Sequence, residues 1–305
     1  MTSMTLRFTK MHGAGNDYVV IDARDEEREW ASVARDLLDR HFGIGADGLL
    51  LVEHSTMADV RMRMLNPDGS EAEMCGNGIR CFSKFVIEGN LLADIDDALQ
   101  VETGAGVLNV EPIMDTAGQI SRARVSMGEP IFDPNQIPVI VPQSGANRNA
   151  NLRPLIGLDA AKLVVECPIT VDGCTFNITC VSMGNPHAVA FVDEPVGDVA
   201  LQKLGPLVEH HAFFPNRVNF HIVNRLNSGQ LIARTWERGA GLTLACGTGA
   251  CAIQAVGRLL GLTEEVVQIE MPGGALVITW ADQGPVIMEG PVVKVFDGNW
   301  ELSDN

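Results

Sequence analysis

A chain of 305 residues, 46% hydrophobic and 20% charged, has enough apolar content for two ordinary domains with a core each. Its net charge of −17, from 39 acids against 22 bases with no basic run, repels a phosphate backbone and argues against a nucleic-acid partner. Met1–Lys10 lacks the apolar core of a signal peptide, and no apolar stretch approaches the roughly 18 residues that span a bilayer. The expectation is a cytoplasmic protein with no membrane partner, whose seven cysteines are thiols rather than a disulfide framework.

In chain order, the turn Gly13-Ala14-Gly15-Asn16-Asp17 leads into the strand-like run Val19-Val20-Ile21-Asp22. Neither this turn nor Gly43–Gly48 has the strand–GxGxxG–helix layout of a dinucleotide site. Trp30, Val33, Leu37 and Leu38 mark one face of an amphipathic helix. Gly48 opens the apolar run Leu49–Val52, and Val60–Leu65 is a further strand ending at Asn66. The turn Cys75-Gly-Asn-Gly-Ile-Arg-Cys81 then starts a helix with Ile79, Phe82, Phe85 and Val86 on one face, predicted to stop at Gly89. Around Gly128-Glu129-Pro130 one half gives way to the next, and Gln143–Pro154 is polar, turn-rich and predicted to be a surface loop.

Beyond that point the order of features repeats. Gly184-Asn185-Pro186-His187 precedes Val189–Asp193, and Val199, Leu204, Leu207 and Val208 mark a second amphipathic helix. Asn219 precedes Phe220–Val223, and Leu231–Trp236 ends at Glu237. Cys246-Gly-Thr-Gly-Ala-Cys251 opens a helix with Ala250, Ile253, Val256 and Leu260 on one face, predicted to stop at Gly261. Asn66 and Glu237 each lie nine residues before their cysteine, and Gly48 and Asn219 lie eighteen residues earlier still. Asn16 is 59 residues before Cys75 and Asn185 is 61 before Cys246. Four coincidences in one order indicate a duplicated unit: an α/β (α+β) protein of two domains related by a pseudo-twofold axis. Each is expected to be a curved, mostly antiparallel sheet wrapped around its central helix. The first domain is placed at 1–127, with the strand-like tail from Val292 to Asn305 returning to it, and the second at 128–291.

A cysteine just ahead of a helix meets unpaired backbone N–H groups and the positive end of the helix dipole, a setting that favours thiolate. The turn glycines let the backbone approach a ligand and form a nest of donors for an anion. Two such units facing each other could hold a carboxylate between the helix ends, one thiolate taking an α-proton while the opposite thiol returns one to the other face. Cys75 and Cys246 are the candidates. Cys81, Cys167, Cys174, Cys180 and Cys251 are expected to be core filler. No Cys-x-x-Cys occurs, so no metal site is predicted.

Met11-His-Gly-Ala-Gly-Asn16-Asp17, Asn66-Pro-Asp-Gly-Ser70, Met74–Cys81, Met183-Gly-Asn-Pro-His187, Arg217-Val-Asn219, Glu237-Arg-Gly239 and Ala245–Gly249 together resemble the diaminopimelate epimerases over nearly the whole chain. The two Cys-Gly-x-Gly turns alone would also fit proline and hydroxyproline racemases, or a catalytically inactive amino-acid-binding relative. The resemblance implies interconversion of LL- and meso-diaminopimelate in lysine biosynthesis, without pyridoxal phosphate or any other cofactor, by a homodimer. It implies that Cys75 and Cys246 exchange the proton. Backbone N–H groups of Gly76, Asn77, Gly247 and Thr248 would hold the reacting carboxylate, and Glu237 the α-ammonium. Asn66, Asn185, Asn219 and Arg238 would grip the distal end, and Asn16 would line the pocket. Glu237 could also support a cysteine, and His187 either supports a cysteine or is structural. Some members carry Gln where this chain has Gly48, so that contact is expected to be absent or replaced.

Overall fold

The computed structural model describes residues 5–72, 75–93, 97–140, 152–153 and 162–301. Most of the predicted loop Gln143–Pro154 lies outside them. The chain divides into two compact units, Met1–Ser126 with Glu289–Asn305, and Met127–Met288.

In the first unit, β1 (Thr5–Gly13) and β2 (Asn16–Asp22) are antiparallel. After α1 (Trp30–Leu38) the chain returns as β3 (Gly48–Glu53), parallel to β2. Next come β4 (Val60–Leu65), antiparallel to β3, and the short β5 (Glu71–Ala72), paired with β4. The central helix α2 (Gly76–Glu88) leads to β6 (Leu99–Thr103), parallel to β4, then to β7 (Gly106–Met114) and β8 (Ile120–Ser126). The returning tail pairs with β1 from Val293 to Glu301, inside the stretch expected to return to this unit.

Alternation along the strands explains where α2 sits. Val19, Ile21, Leu49 and Leu51 belong to one core cluster with Trp30, Ala34, Leu37 and Leu38 of α1. Successive side chains of a strand point to opposite faces, so Tyr18, Val20 and Leu50 turn the other way, toward α2. Leu49, Leu50, Leu51 and Val52 are all fully buried, which identifies β3 as a strand covered on both faces. Each such side chain contributes roughly 1.5–3 kcal/mol of transfer free energy. α2 touches β1, β2, β3, β7 and β8. Being surrounded, it buries even its polar residues Asn77, Arg80, Ser83 and Lys84. Arg80 is satisfied by donating to the carbonyls of Gly76 (2.9 Å) and Pro291 (3.3 Å) and to Asn77 Oδ1 (2.9 Å). The helix ends at Gly89, as predicted.

The second unit repeats the plan after its own first strand, β9 (Cys167–Val171). β10 (Cys174–Ser182) is antiparallel to β11 (Pro186–Phe191). α3 (Leu201–Glu209) precedes β12 (Asn219–Asn227), which is parallel to β11. β13 (Gln230–Glu237) pairs antiparallel with β12 and with β14 (Gly241–Thr243). After the helix α4 (Gly247–Leu259), β15 (Val266–Met271) lies parallel to β13 and antiparallel to β16 (Gly274–Thr279). Ala188, Ala190, Phe220 and Ile222 pack with Leu201, Leu204 and Val208 of α3. His187, Val189 and His221 therefore face α4.

Three expectations need correction. Cys174 is exposed, because it follows the Asp172-Gly173 turn at the tip of the β9–β10 hairpin. Leu207, placed on the buried face of α3, is 45% exposed, since the helix starts at Leu201 and presents Leu201, Leu204 and Val208 instead. α4 ends at Leu259, with Leu260 as its cap rather than Gly261. Cys81, Cys167, Cys180 and Cys251 are buried. No helix among the described residues is long and apolar enough to cross a membrane.

Candidate active site

In the first unit, Ala14 and Gly15 take positive φ values of 53° and 80°, and this turn delivers Asn16 to the head of β2. Cys75 is the extended N-cap residue of α2 and is partly exposed. Asn16 and Tyr18, two residues apart on one face of β2, both reach its sulfur. Tyr18 Oη lies 2.8 Å from Cys75 Sγ, and Asn16 Oδ1 lies 3.6 Å away. The same Asn16 oxygen accepts from the Tyr18 hydroxyl and from Asn77 Nδ2 (3.2 Å). Asn16 Nδ2 donates to Asp47 (2.6 Å), whose other oxygen takes Arg40 (2.6 Å). Burial alone would raise the neighbouring Asp17 carboxyl, but Arg40 and Lys10 hold it at about 2.

Tyr18 was not singled out from the sequence, although it is the only tyrosine and stands one strand period beyond Asn16. Burial, and next the adjacent Cys75, raise its hydroxyl well above the ordinary tyrosine range, so it remains a proton donor. That single proton can point to Asn16 Oδ1 while Cys75 is a thiol and swing to the sulfur when the thiolate forms. The Tyr18 hydroxyl is a donor 2.8 Å from the Cys75 sulfur, so Tyr18→Phe is expected to slow Cys75 alkylation by iodoacetamide severalfold at neutral pH. Equal alkylation rates would remove Tyr18 from the site.

Gly48 lies beside Tyr18 in the β2–β3 pair. A Cβ there would stand 3.1 Å from Met64 Cε and 3.3 Å from Tyr18 Cδ1. The volume a longer side chain would enter at this position is occupied by Met64 and the Tyr18 ring. Asn66 sits in the turn after β4, its amide donating to Ser70 Oγ (3.0 Å) and its carbonyl accepting from Gly69 N–H (2.9 Å). Gly76 and Asn77 form the first turn of α2, where backbone N–H groups lack helical partners.

In the second unit, Cys246 is the N-cap of α4, and Gly249 N–H donates to its sulfur at 3.3 Å. Thr248 Oγ1 is 3.6 Å from that sulfur and 3.5 Å from Asn185 Nδ2. Glu237 lies against Cys246 and accepts from Thr243 Oγ1 (2.5 Å). The expectation that a helix N-terminus favours thiolate is reversed here. Cys246 is only 3% exposed, and burial followed by the Glu237 carboxylate pushes its thiol well above the usual range, outweighing Thr248 and Gly249 N–H.

Asn219 is buried, its amide bridging Pro186 O (2.9 Å) and Arg238 N–H (3.0 Å). It ties the head of β11 to the Glu237-Arg238 corner. Arg238 is exposed, with Nη1 donating to Asn216 O at 3.3 Å. His187 is fully buried between Asn185 Oδ1 (2.7 Å from Nε2) and His221 Nε2 (2.9 Å from Nδ1). His221, also fully buried and not anticipated, reaches Thr235 Oγ1 at 3.0 Å. The repeat could have located it: β12 is the counterpart of β3, and His221 stands where the first unit has Leu50.

Burial holds both imidazoles neutral, His221 down to about 3 and His187 well below 6.5, with His221 and Arg238 adding to the latter. An unfolded chain binds these protons below pH 6.5 while the folded one does not, so acid favours unfolding until the folded pKa is reached. Each histidine is expected to remove about 1 kcal/mol of stability per pH unit below 6.5. Urea unfolding at pH 6.5 and 5.0 checks this, and His221→Phe should flatten the slope.

The class defined here is a two-unit, sheet-dominated α/β fold with a cysteine capping the central helix of each unit. It is the fold of the probable proline racemase from Agrobacterium radiobacter, which aligns with a TM-score of 0.67 and 14% identity over 98% of this chain and 93% of that one. The chain belongs to the diaminopimelate epimerase family, whose profile matches residues 8–132 and 179–295. The diaminopimelate epimerase of Acetivibrio thermocellus is 44% identical over 98% of this chain and all of its own length. That of Desulfovibrio desulfuricans is also 44% identical, over the same shares.

Proposed function

We propose that the chain epimerises diaminopimelate between its LL and meso forms in lysine biosynthesis, by proton transfer between two cysteines and without a cofactor. The observation that carries this reading is the recurrence of one arrangement: in each unit a cysteine caps the central helix, with the asparagine at a strand head reaching the Cys75 sulfur in the first unit (Asn16) and Thr248, two residues beyond Cys246, in the second (Asn185). Family membership with 44% identity over nearly the full length supports the substrate.

Cys246 enters as the thiol, since burial and Glu237 oppose its ionisation, and delivers a proton to the α-carbon. Cys75, with the Tyr18 hydroxyl poised on its sulfur, takes the proton from the opposite face. The roles exchange in the reverse direction. First-turn N–H groups at Gly76, Asn77, Gly247 and Thr248 hold the carboxylate on which carbanion charge develops. Glu237 receives the α-ammonium. Asn66, Asn185, Asn219 and Arg238 orient the distal amino-acid end, and Asn16 lines the pocket beside Cys75. Asn66 and Asn219 are already engaged in the fold, so they act through the turn and corner they hold as well as by contact. The protein is on this reading a cytoplasmic homodimer, which sedimentation equilibrium checks.

Incubation in deuterium oxide tests the substrate. Deuterium is expected at Cα of LL- and meso-diaminopimelate and not at Cα of proline. Exchange into proline alone would make the chain a racemase of the wider fold group. Binding of diaminopimelate with no exchange would make it an inactive binding protein.

A further inference from the structure

We propose that His221 is a positioning residue: through His187 it fixes which way the Asn185 amide faces, and by its ring it seats the Gly249 N–H on the Cys246 sulfur. The claim rests on the reading of Asn185 as a substrate-orienting amide, but its first test does not involve substrate.

Proton counting sets the direction of the chain. Asn185 Oδ1 can only accept, so His187 must donate from Nε2 at 2.7 Å. A neutral imidazole has one N–H, so His187 Nδ1 is an acceptor and His221 must donate to it from Nε2 at 2.9 Å. His221 Nδ1 then accepts from the Thr235 hydroxyl at 3.0 Å. The chain runs one way, Thr235 to His221 to His187 to Asn185, and every member but the last is fully or nearly fully buried. Its consequence is that the Asn185 oxygen is taken and its NH2 is presented toward Thr248 at the head of α4, as a donor suited to a carboxylate. Without His221 to supply a proton at Nδ1, His187 could adopt either tautomer, and the amide could turn its oxygen outward against an anion.

The second contact is steric. A Cβ on Gly249 would lie 2.3 Å from His221 Cε1. The ring therefore rests on the Gly249 backbone, whose N–H is the donor to Cys246. In the first unit a Cβ on the equivalent Gly78 would meet Leu50 and Tyr18 at an ordinary 3.4 Å.

Histidine-selective 15N correlation spectra of the free protein should show both His187 and His221 as the Nε2–H tautomer. An Nδ1–H or charged form of either would overturn the proposal whatever the substrate proves to be. His221→Phe keeps a ring against Gly249 and removes the donor. It should mix the His187 tautomers and raise KM for diaminopimelate about tenfold with a smaller change in kcat. His221→Gln, which can donate again to His187, should restore a single tautomer and most of the affinity. An unchanged KM and a single His187 tautomer in a folded His221→Phe variant would overturn the role. Should the chain fail to turn over diaminopimelate, the tautomer spectra alone decide.

Discussion

Cys75→Ala and Cys246→Ala are each expected to lower the rate of epimerisation roughly a thousandfold or more, and the double variant to be scarcely worse than either single one. General acid–base groups acting in one proton transfer contribute about 10²- to 10⁴-fold each, and groups that act as a unit are far from additive. Inversion needs a base on one face of the α-carbon and an acid on the other, so losing either interrupts the same event. Cα deuterium exchange and optical rotation of stereopure diaminopimelate measure the loss, with circular dichroism confirming the fold. Either single variant retaining activity within tenfold of the parent would refute a two-cysteine mechanism. The two positions should also differ in free-thiol chemistry. Cys246 is buried beside Glu237 with its thiol pushed up, while Cys75 is partly exposed, so an alkylating reagent should label Cys75 first.

Gly249→Ala should nearly abolish activity and destabilise the protein by roughly 1–3 kcal/mol, the usual cost of overpacking. Its new methyl would stand 2.3 Å from His221 Cε1 and 3.1 Å from Cys246 Cβ, among groups that are fully or almost fully buried. Something must shift, and both neighbours belong to the site. A fall in Tm of several degrees should accompany the loss. Gly78→Ala is the internal control. It occupies the same place in the first motif, yet its Cβ would meet Leu50 and Tyr18 at 3.4 Å, ordinary contact, and alanine is the better helix former. Gly78→Ala should melt no lower than the parent. If both substitutions were equally benign, the His221–Gly249 contact would carry no weight in the fold.

Much of this was legible in one dimension because duplication writes each element twice. The strand Val60–Leu65 and the stop of α2 at Gly89 were predicted to the residue, since a period-2 apolar run and a glycine are local signals. Cys75 and Cys246 were legible for the same reason: a cysteine followed by two turn glycines and a 3.6-residue apolar period announces an N-cap in the sequence itself. Asn16 and Asn185 emerged as partners in the repeat, but what each touches did not. Tyr18 and His221 were missed because a polar residue inside a strand carries no local mark of which face it serves. That face is set by α1 and α3 covering one side of each sheet, and so by tertiary packing alone.

The order of elements, the two helix-capping cysteines and the absence of cofactor-binding motifs are properties of the chain as text, because each depends on neighbours within a turn or two. Whether a thiol sits near solvent or is sealed beside a carboxylate depends on residues far apart in sequence. Identical Cys-Gly-x-Gly turns thus acquire different surroundings: Tyr18 and Asn16 around a partly exposed Cys75, Glu237 and Thr248 around a buried Cys246. Helix-end electrostatics can be read from the motif, but desolvation depends on what the fold packs around the sulfur, and at Cys246 desolvation is the larger effect.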